Sequence, residues 1–194
     1  DAAFIIGGIQ IQNRATLGGN LCNSAPSADC IPPLIALDAK AVIVGPTGTR
    51  EVPVSEFCIG PGKNVLTQGE FLLRITVPPP NLNSGASYLR FIPRNEMDIA
   101  VVGVGSSVML SPKKDEFISA RVAMASVAPT PVFALAAGEE LIGKPVTEKS
   151  IDDASEKAMY LARPISDMRG TISQRRHLVR VLTRRTLWKA VKRA

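Results

Sequence analysis

The residue types best suited to chemistry lie in one short run near the start, Thr16-Leu17-Gly18-Gly19-Asn20, followed by Ser24, Pro26 and Asp29. Two adjacent glycines let a backbone approach a ligand with no Cβ between them, and they leave N–H groups available to an anion. Thr16 and Asn20 flank them with a hydroxyl and an amide, groups that suit phosphate oxygens or ribose hydroxyls. Asp29 can accept hydrogen bonds from a sugar hydroxyl or from the first amides of a helix that follows it. The run is neither a Gly-Lys-Ser/Thr phosphate loop nor the dinucleotide pattern G-x-G-x-x-G. On residue types alone, its ordinary account is a glycine turn with polar caps.

Other chemistries are limited by inventory. His177 is the sole histidine, so a zinc site built on several histidines is excluded and a Ser-His-Asp triad would have to use this residue. A histidine on a helix face or interface is its simpler reading. Cys22, Cys30 and Cys58 are odd in number and contain no C-x-x-C pair, which argues against a zinc ribbon, an iron–sulfur cradle or a disulfide framework. Reduced thiols in a cytoplasm fit that spacing. Glu96 and Asp98 admit a paired-carboxylate reading. Caps at a strand start, or an ion pair with Arg94, explain them more simply.

The elements that position these groups can be read from pattern. Residues 2–6 read as the tail of a helix stopped by Gly7-Gly8. A short helix begins between Asp29 and Pro33, since proline is tolerated in a first turn and Leu34-Ile35-Ala36-Leu37 follows. Residues 41–44 and 51–54 flank Pro46-Thr47-Gly48-Thr49 as a hairpin, and residues 71–77 form another strand. The triple proline Pro78-Pro79-Pro80 opens a boundary segment that runs to Ser87. Three strands follow at 88–92, 99–110 and 118–127. The second of these is apolar or small on both alternating faces, and so is covered on both sides. Helices follow at 131–141, at Ser150 onward with Asp153 completing a capping box, and at 171–193. In the last helix Leu178, Val181 and Leu182 point away from Leu187, Trp188 and Val191, which predicts a kink near residues 183–185 or cover on two sides. Segregated strands and helices argue an α+β fold.

The chain has 194 residues, 45% hydrophobic and 21% charged, enough for one sizeable domain or two small ones. No apolar run approaches a membrane span, and residues 1–8 do not read as a signal peptide. Lys+Arg 23 against Asp+Glu 17 gives +6, concentrated in Arg175, Arg176, Arg180, Arg184, Arg185, Lys189, Lys192 and Arg193. Without stacking aromatics or a DNA-binding motif, this cluster reads as a solvated or subunit-docking face rather than a nucleic-acid contact.

Residues 10–20 with Asp29 resemble the flavoprotein subunit of the molybdenum hydroxylases, the xanthine dehydrogenase and carbon monoxide dehydrogenase family, which carries a Gln-x-Arg-Asn-x-Ala-Thr-Ile-Gly-Gly-Asn run. Tyr88-Leu89-Arg90-Phe91, Arg94 with Met97-Asp98-Ile99-Ala100, and Val127-Ala128-Pro129-Thr130-Pro131 are similar to its later landmarks. So are Arg163-Pro164-Ile165-Ser166-Asp167-Met168-Arg169-Gly170 and Arg175-Arg176-His177-Leu178. The resemblance spans essentially the whole chain. It implies a second FAD-binding subdomain over residues 1–80, a small and mainly antiparallel sheet with short helices. A C-terminal domain over 85–194 would combine a three-stranded antiparallel sheet with a helical bundle. FAD would pass electrons from an iron–sulfur subunit, itself reduced by a molybdopterin subunit, to NAD, a quinone or another acceptor in a hetero-oligomer. Carried over by position, Thr16, Leu17, Gly18, Gly19 and Asn20 would line the FAD diphosphate, Asp29 would make a polar contact, and Leu72 would meet the isoalloxazine through its backbone. Arg90 falls where the family usually has lysine near the flavin, which keeps the charge but changes its reach. The family's further N-terminal lobe, with its own glycine-rich loop, has no counterpart here, so weak or no FAD binding is expected of these 194 residues alone. The alternative is a non-catalytic docking module with a basic helix face.

Overall fold

The computed structural model describes residues 1–94 and 97–194. Residues 1–15 hold only a 3-10 turn at Ala2–Ile5, a left-handed Gly7 at φ 60° and one helical turn, α1 (Ile9–Gln12). Then come α2 (Leu17–Asn23), α3 (Ile31–Ala36), β1 (Lys40–Gly45), β2 (Gly48–Pro53), α4 (Val54–Phe57), β3 (Cys58–Gly60), β4 (Lys63–Asn64) and β5 (Phe71–Thr76). The later part comprises β6 (Ser84–Phe91), β7 (Val102–Leu110), β8 (Phe117–Ala125), β9 (Val132–Phe133), α5 (Leu135–Glu139), α6 (Glu148–Leu161) and α7 (Ile172–Arg193). The fold is α+β with antiparallel sheets throughout, ordered β2-β1-β5, β3-β4 and β6-β7-β8-β9.

Three readings in the later part of the chain change, each through local contacts. The third sheet has four strands, not three: Val132 and Phe133, read as helix, pair with Met124 and Ala123. Their branched and aromatic side chains suit a strand, and the Arg121 guanidinium lies over the Phe133 ring, 4.3 Å from its centroid. Strand β6 starts at Ser84, inside the segment read as a boundary. Gly85 there is a contact glycine, since a Cβ would stand 2.1 Å from the Ala190 carbonyl oxygen of α7. Helix α6 is capped by Thr147, whose Oγ1 accepts the Ser150 N–H at 3.2 Å, rather than by Ser150.

Helix α7 runs without interruption over 22 residues. Arg175, Val179, Leu182, Thr183, Thr186, Leu187 and Ala190 form one buried stripe at helical spacing. Three polar members hide that stripe from an apolar periodicity, and the helix is covered by β6 and β7 on one side and by α6 on another. Ser106 of β7 and Thr186 hydrogen bond at 2.8 Å inside this contact.

Strand β7 is covered on both faces, as its alternation predicts. Its even-numbered valines join the core with α6 and α7. On the opposite face α3 lies so close that a Cβ on Gly105 would come within 2.8 Å of the Pro32 backbone. Ser107 Oγ donates to the Ala36 carbonyl oxygen at 2.5 Å. The front core of Leu21, Ile31, Leu34, Ile35, Ile43, Val54 and Phe57 therefore ends on the four-stranded sheet, at Ala123. Ser126, left-handed at φ 65°, ends β8 and donates its N–H to the Pro26 carbonyl at 2.7 Å.

Candidate functional site

The diglycine run is the first turn of helix α2, not a free turn. Thr16 is extended (φ −127°, ψ 154°), and its Oγ1 accepts the Gly19 N–H at 2.9 Å. A Cβ on Gly19 would lie 3.0 Å from that oxygen, so glycine keeps the cap compact. Asn20 N–H bonds to the Thr16 carbonyl at 3.0 Å, and the Asn20 side-chain oxygen accepts the Cys30 N–H at 3.3 Å. This leaves the N–H groups of Leu17 and Gly18 without an acceptor among the described residues. These are the orphan donors of a helix start.

Leu17 borders a groove of about 640 Å³, lined also by Thr16, Gly19 and Asn20 together with Phe4, Ile6, Gln12, Arg14 and Cys30. Gln12 Nε2 donates to the carbonyls of Phe4 (3.0 Å) and Ile6 (3.3 Å), holding the N-terminal turn as one wall. Arg14 is exposed on the groove and was not among the predicted site residues; a cation two positions before a helix cap was its available signal. The side of Gly18 where a Cβ would stand faces Leu72, whose Cδ2 would lie 3.4 Å away. Leu72 is paired with Ile43 on β1, so the sheet sets the position of α2.

Asp29 and Arg90 are brought together, but with each other. Arg90 Nη1 donates to Asp29 Oδ2 at 2.5 Å, and the Tyr88 hydroxyl donates to Oδ1 at 2.6 Å. Arg90 Nη2 also donates to the Ile5 carbonyl. Burial pushes the Asp29 carboxyl up from its ordinary range, while Tyr88 and Arg90 oppose that shift. Burial and the Asp29 charge raise the Tyr88 phenol well above its usual value, so it stays a donor. Burial likewise pushes the Cys30 thiol up to about 11. The ion pair fastens the N-terminal segment and the start of α3 to β6. Arg90 itself lines a second, adjoining groove of about 1120 Å³ with Gly8, Gln10, Met97 and Lys189, and the two grooves share Phe4 and Gln12.

The remaining candidates have structural partners. Arg94 Nε meets Asp98 Oδ2 at 3.2 Å and Ile99 N–H bonds to Asp98 Oδ1, while Glu96 lies outside the described residues. His177 is exposed on α7. Of the basic cluster, Arg175 turns inward to Asp167, Arg184 pairs with Glu148 and Asp152, and Arg193 pairs with Asp1. No metal-holding group of His, Cys, Asp and Glu occurs among the described residues, and Cys22, Cys30 and Cys58 are free.

Residues 1–80 match the family described as the FAD binding domain in molybdopterin dehydrogenase, and residues 87–190 match the CO dehydrogenase flavoprotein C-terminal domain. The chain belongs to this flavoprotein family. It is 35% identical over 191 residues to the xanthine dehydrogenase FAD-binding subunit of Escherichia coli O157:H7, covering 98% of this chain and 65% of that one. To the carbon monoxide dehydrogenase medium chain of Hydrogenophaga pseudoflava it is 28% identical over 187 residues, covering 96% and 64%. The solved carbon monoxide dehydrogenase from Hydrogenophaga pseudoflava superposes with a TM-score of 0.93 at 29% identity, over 98% of this chain and 65% of that one. Quinoline 2-oxidoreductase from Pseudomonas putida 86 gives 0.86 at 27% identity, over 96% and 64%. This member of the flavoprotein family therefore spans about two thirds of the length of the relatives it matches.

The donor set fits the cofactor that the family implies. The uncapped Leu17 amide and the Arg14 guanidinium on one groove, with the uncapped Gly18 amide next in the same helix turn, suit a diphosphate, and the apolar wall of Phe4 and Ile6 suits a planar ring or adenosine face.

Proposed function

We propose that this chain forms the diphosphate-binding side of an FAD-dependent electron-transfer subunit in a molybdenum hydroxylase complex. The observation that carries this reading is the pair of unsatisfied amides, Leu17 and Gly18, beside Arg14 in a flavoprotein family member. FAD, when bound, supplies the capacity to accept electrons and release them to an acceptor. The protein's part is to bind and orient. Leu17 and Gly18 donate to phosphate oxygens, Thr16 fixes the helix start, and Gly19 and Asn20 keep the backbone open along the groove. Leu72 sets the height of α2, and the Asp29–Arg90 pair holds a positive group near the second groove. Residues 1–80 and 85–194 act as the two parts of this side. The complex would include an iron–sulfur subunit and a molybdopterin subunit in the cytoplasm. No helix among the described residues is long and apolar enough to cross a membrane.

The chain spans 65% of the length of the relative it matches, and the weak binding expected of these 194 residues follows from that share. Titration of FAD into the chain, followed by quenching of flavin fluorescence, is expected to give weak, saturable binding that Arg14→Ala weakens about tenfold, as loss of a charged hydrogen bond does. Adding the remaining portion of a relative's subunit should tighten it. A near-stoichiometric flavin band in the purified chain would contradict the expected weakness. No quenching at any concentration, with or without that added portion, would remove the diphosphate reading.

A further inference from the structure

Between α6 and α7 the chain runs Arg163-Pro164-Ile165-Ser166-Asp167-Met168-Arg169-Gly170 and presents apolar side chains to water. Met168 is 94% exposed and Ile165 71%. Floppy loops do this at no cost, but this loop is fastened. Arg175, buried on α7, donates from Nη2 to both Asp167 carboxylate oxygens at 2.8 Å, and from Nη1 to the carbonyls of Val101 (2.8 Å) and Ser126 (2.9 Å). Asp167 Oδ1 also accepts the N–H groups of Arg169 and Gly170, and the Asp167 and Gly170 backbones exchange hydrogen bonds at 3.1 and 3.2 Å. Met168 and Arg169 therefore stand at the tip of a closed turn. Ser166 Oγ accepts the Ile172 N–H at 3.0 Å and ties the turn to the start of α7. A buried guanidinium is spent on a loop in which Pro164 is buried while Ile165 and Met168 face water.

The tip is also cationic. Arg163 is exposed and Arg169 half-buried. Among the described residues, neither has a carboxylate within salt-bridge distance, as is also true of Arg14, Arg74, Arg176, Arg180 and Arg185, whereas Arg50, Arg90, Arg94, Arg121, Arg175, Arg184 and Arg193 each have one.

We infer that residues 163–170 are the anchor by which this chain docks on a partner subunit of its complex, one whose surface offers an apolar socket for Met168 and Ile165 within a rim of Asp and Glu carboxylates. The inference rests on the subunit reading above. Methionine and arginine are enriched at protein interfaces, and anchors concentrate binding energy when they are held ready before contact. Uncompensated guanidiniums around the tip call for carboxylates opposite. A second copy is a poor occupant, because a two-fold contact would set these guanidiniums against their own kind. An anionic lipid surface is also a poor one, since two side chains bury too little apolar area for stable anchoring.

The test is peroxide oxidation of Met168, read by peptide mass spectrometry, in the isolated chain and in the complex purified with its iron–sulfur and molybdopterin subunits. Oxidation is expected to slow about tenfold or more in the complex, as burial at an interface core requires. Met168→Glu should raise the Kd for the partner about tenfold or more, and Arg163→Glu should weaken it and reduce its salt dependence. Both side chains face water, so unchanged thermal unfolding of the variants separates lost docking from lost folding. Equal oxidation rates in chain and complex would overturn the anchor and leave the subunit reading standing. Failure of the chain to associate with either subunit would overturn both. Self-association of the chain, or sedimentation with phosphatidylserine vesicles, abolished by Met168→Glu would assign the loop to another occupant and overturn the proposal.

Discussion

Thr16 shows how much a single hydroxyl can organise. Its Oγ1 receives the Gly19 amide, which leaves only the Leu17 and Gly18 amides unpartnered at the helix start. Thr16→Ala should cost about 1 kcal/mol of stability, seen as a lower urea midpoint with unchanged slope. Charge at single residues contributes to the acid limb. Glu70 is held down to about 2, first by the Arg50 guanidinium and then by the Thr67 N–H. Its folded value lies below its ordinary 4.5, so its contribution is complete above about 4.5 and is lost as pH falls toward 2. Carbon-13 titration of the Glu70 carboxyl should show that low midpoint, and Arg50→Ala should return it toward the ordinary value. The glycines, Thr16 and Asn20 were legible as ligand-suited types because their neighbours in sequence are their neighbours in space. The Asp29–Arg90 pair was not, since 61 positions separate them and only the meeting of α3 with β6 joins them. Arg14 was in view but carried no pattern beyond its charge.

At the level of elements, small residues mark where backbones touch. Gly105→Ala would push a Cβ into the Pro32 backbone and should destabilise by about 2 kcal/mol, measured by denaturant unfolding. Arg175→Met would strip donors from the Val101 and Ser126 carbonyls and should cost roughly 3 kcal/mol. It should also free the 163–170 turn, visible as faster amide exchange at Arg169 and Gly170. The hairpin of β1 and β2 was readable because Pro46-Thr47-Gly48 is turn chemistry, and Gly48 does sit at φ 117°. Helix α7 was readable in extent but not in facing. Its buried stripe includes Arg175, Thr183 and Thr186, whose reasons for burial are hydrogen bonds to other elements. The same limit hid β9, two residues whose strand state depends on the exposed edge of β8.

Taken whole, the molecule is two cores that end on one four-stranded sheet, with helices on either face. Because α3 is seated on β7 and β8, secondary and tertiary signals should be lost together on heating, with coincident far- and near-ultraviolet circular dichroism transitions. The α+β class and the order of the larger elements were legible from composition and punctuation, whereas α2, α4, β3, β4 and β9 were not. The seating of α3 was not, because it is written in the absence of side chains at Gly105 and in a serine bonding a helix-end carbonyl. That seating has a practical meaning for anyone cutting the gene. Residues 77–82 are exposed, Leu82 at 91%, and no core depends on the peptide bonds there. Two polypeptides, 1–80 and 83–194, expressed side by side, should find each other through the α3 seat and elute as one particle, making this flavoprotein a natural candidate for split-protein complementation.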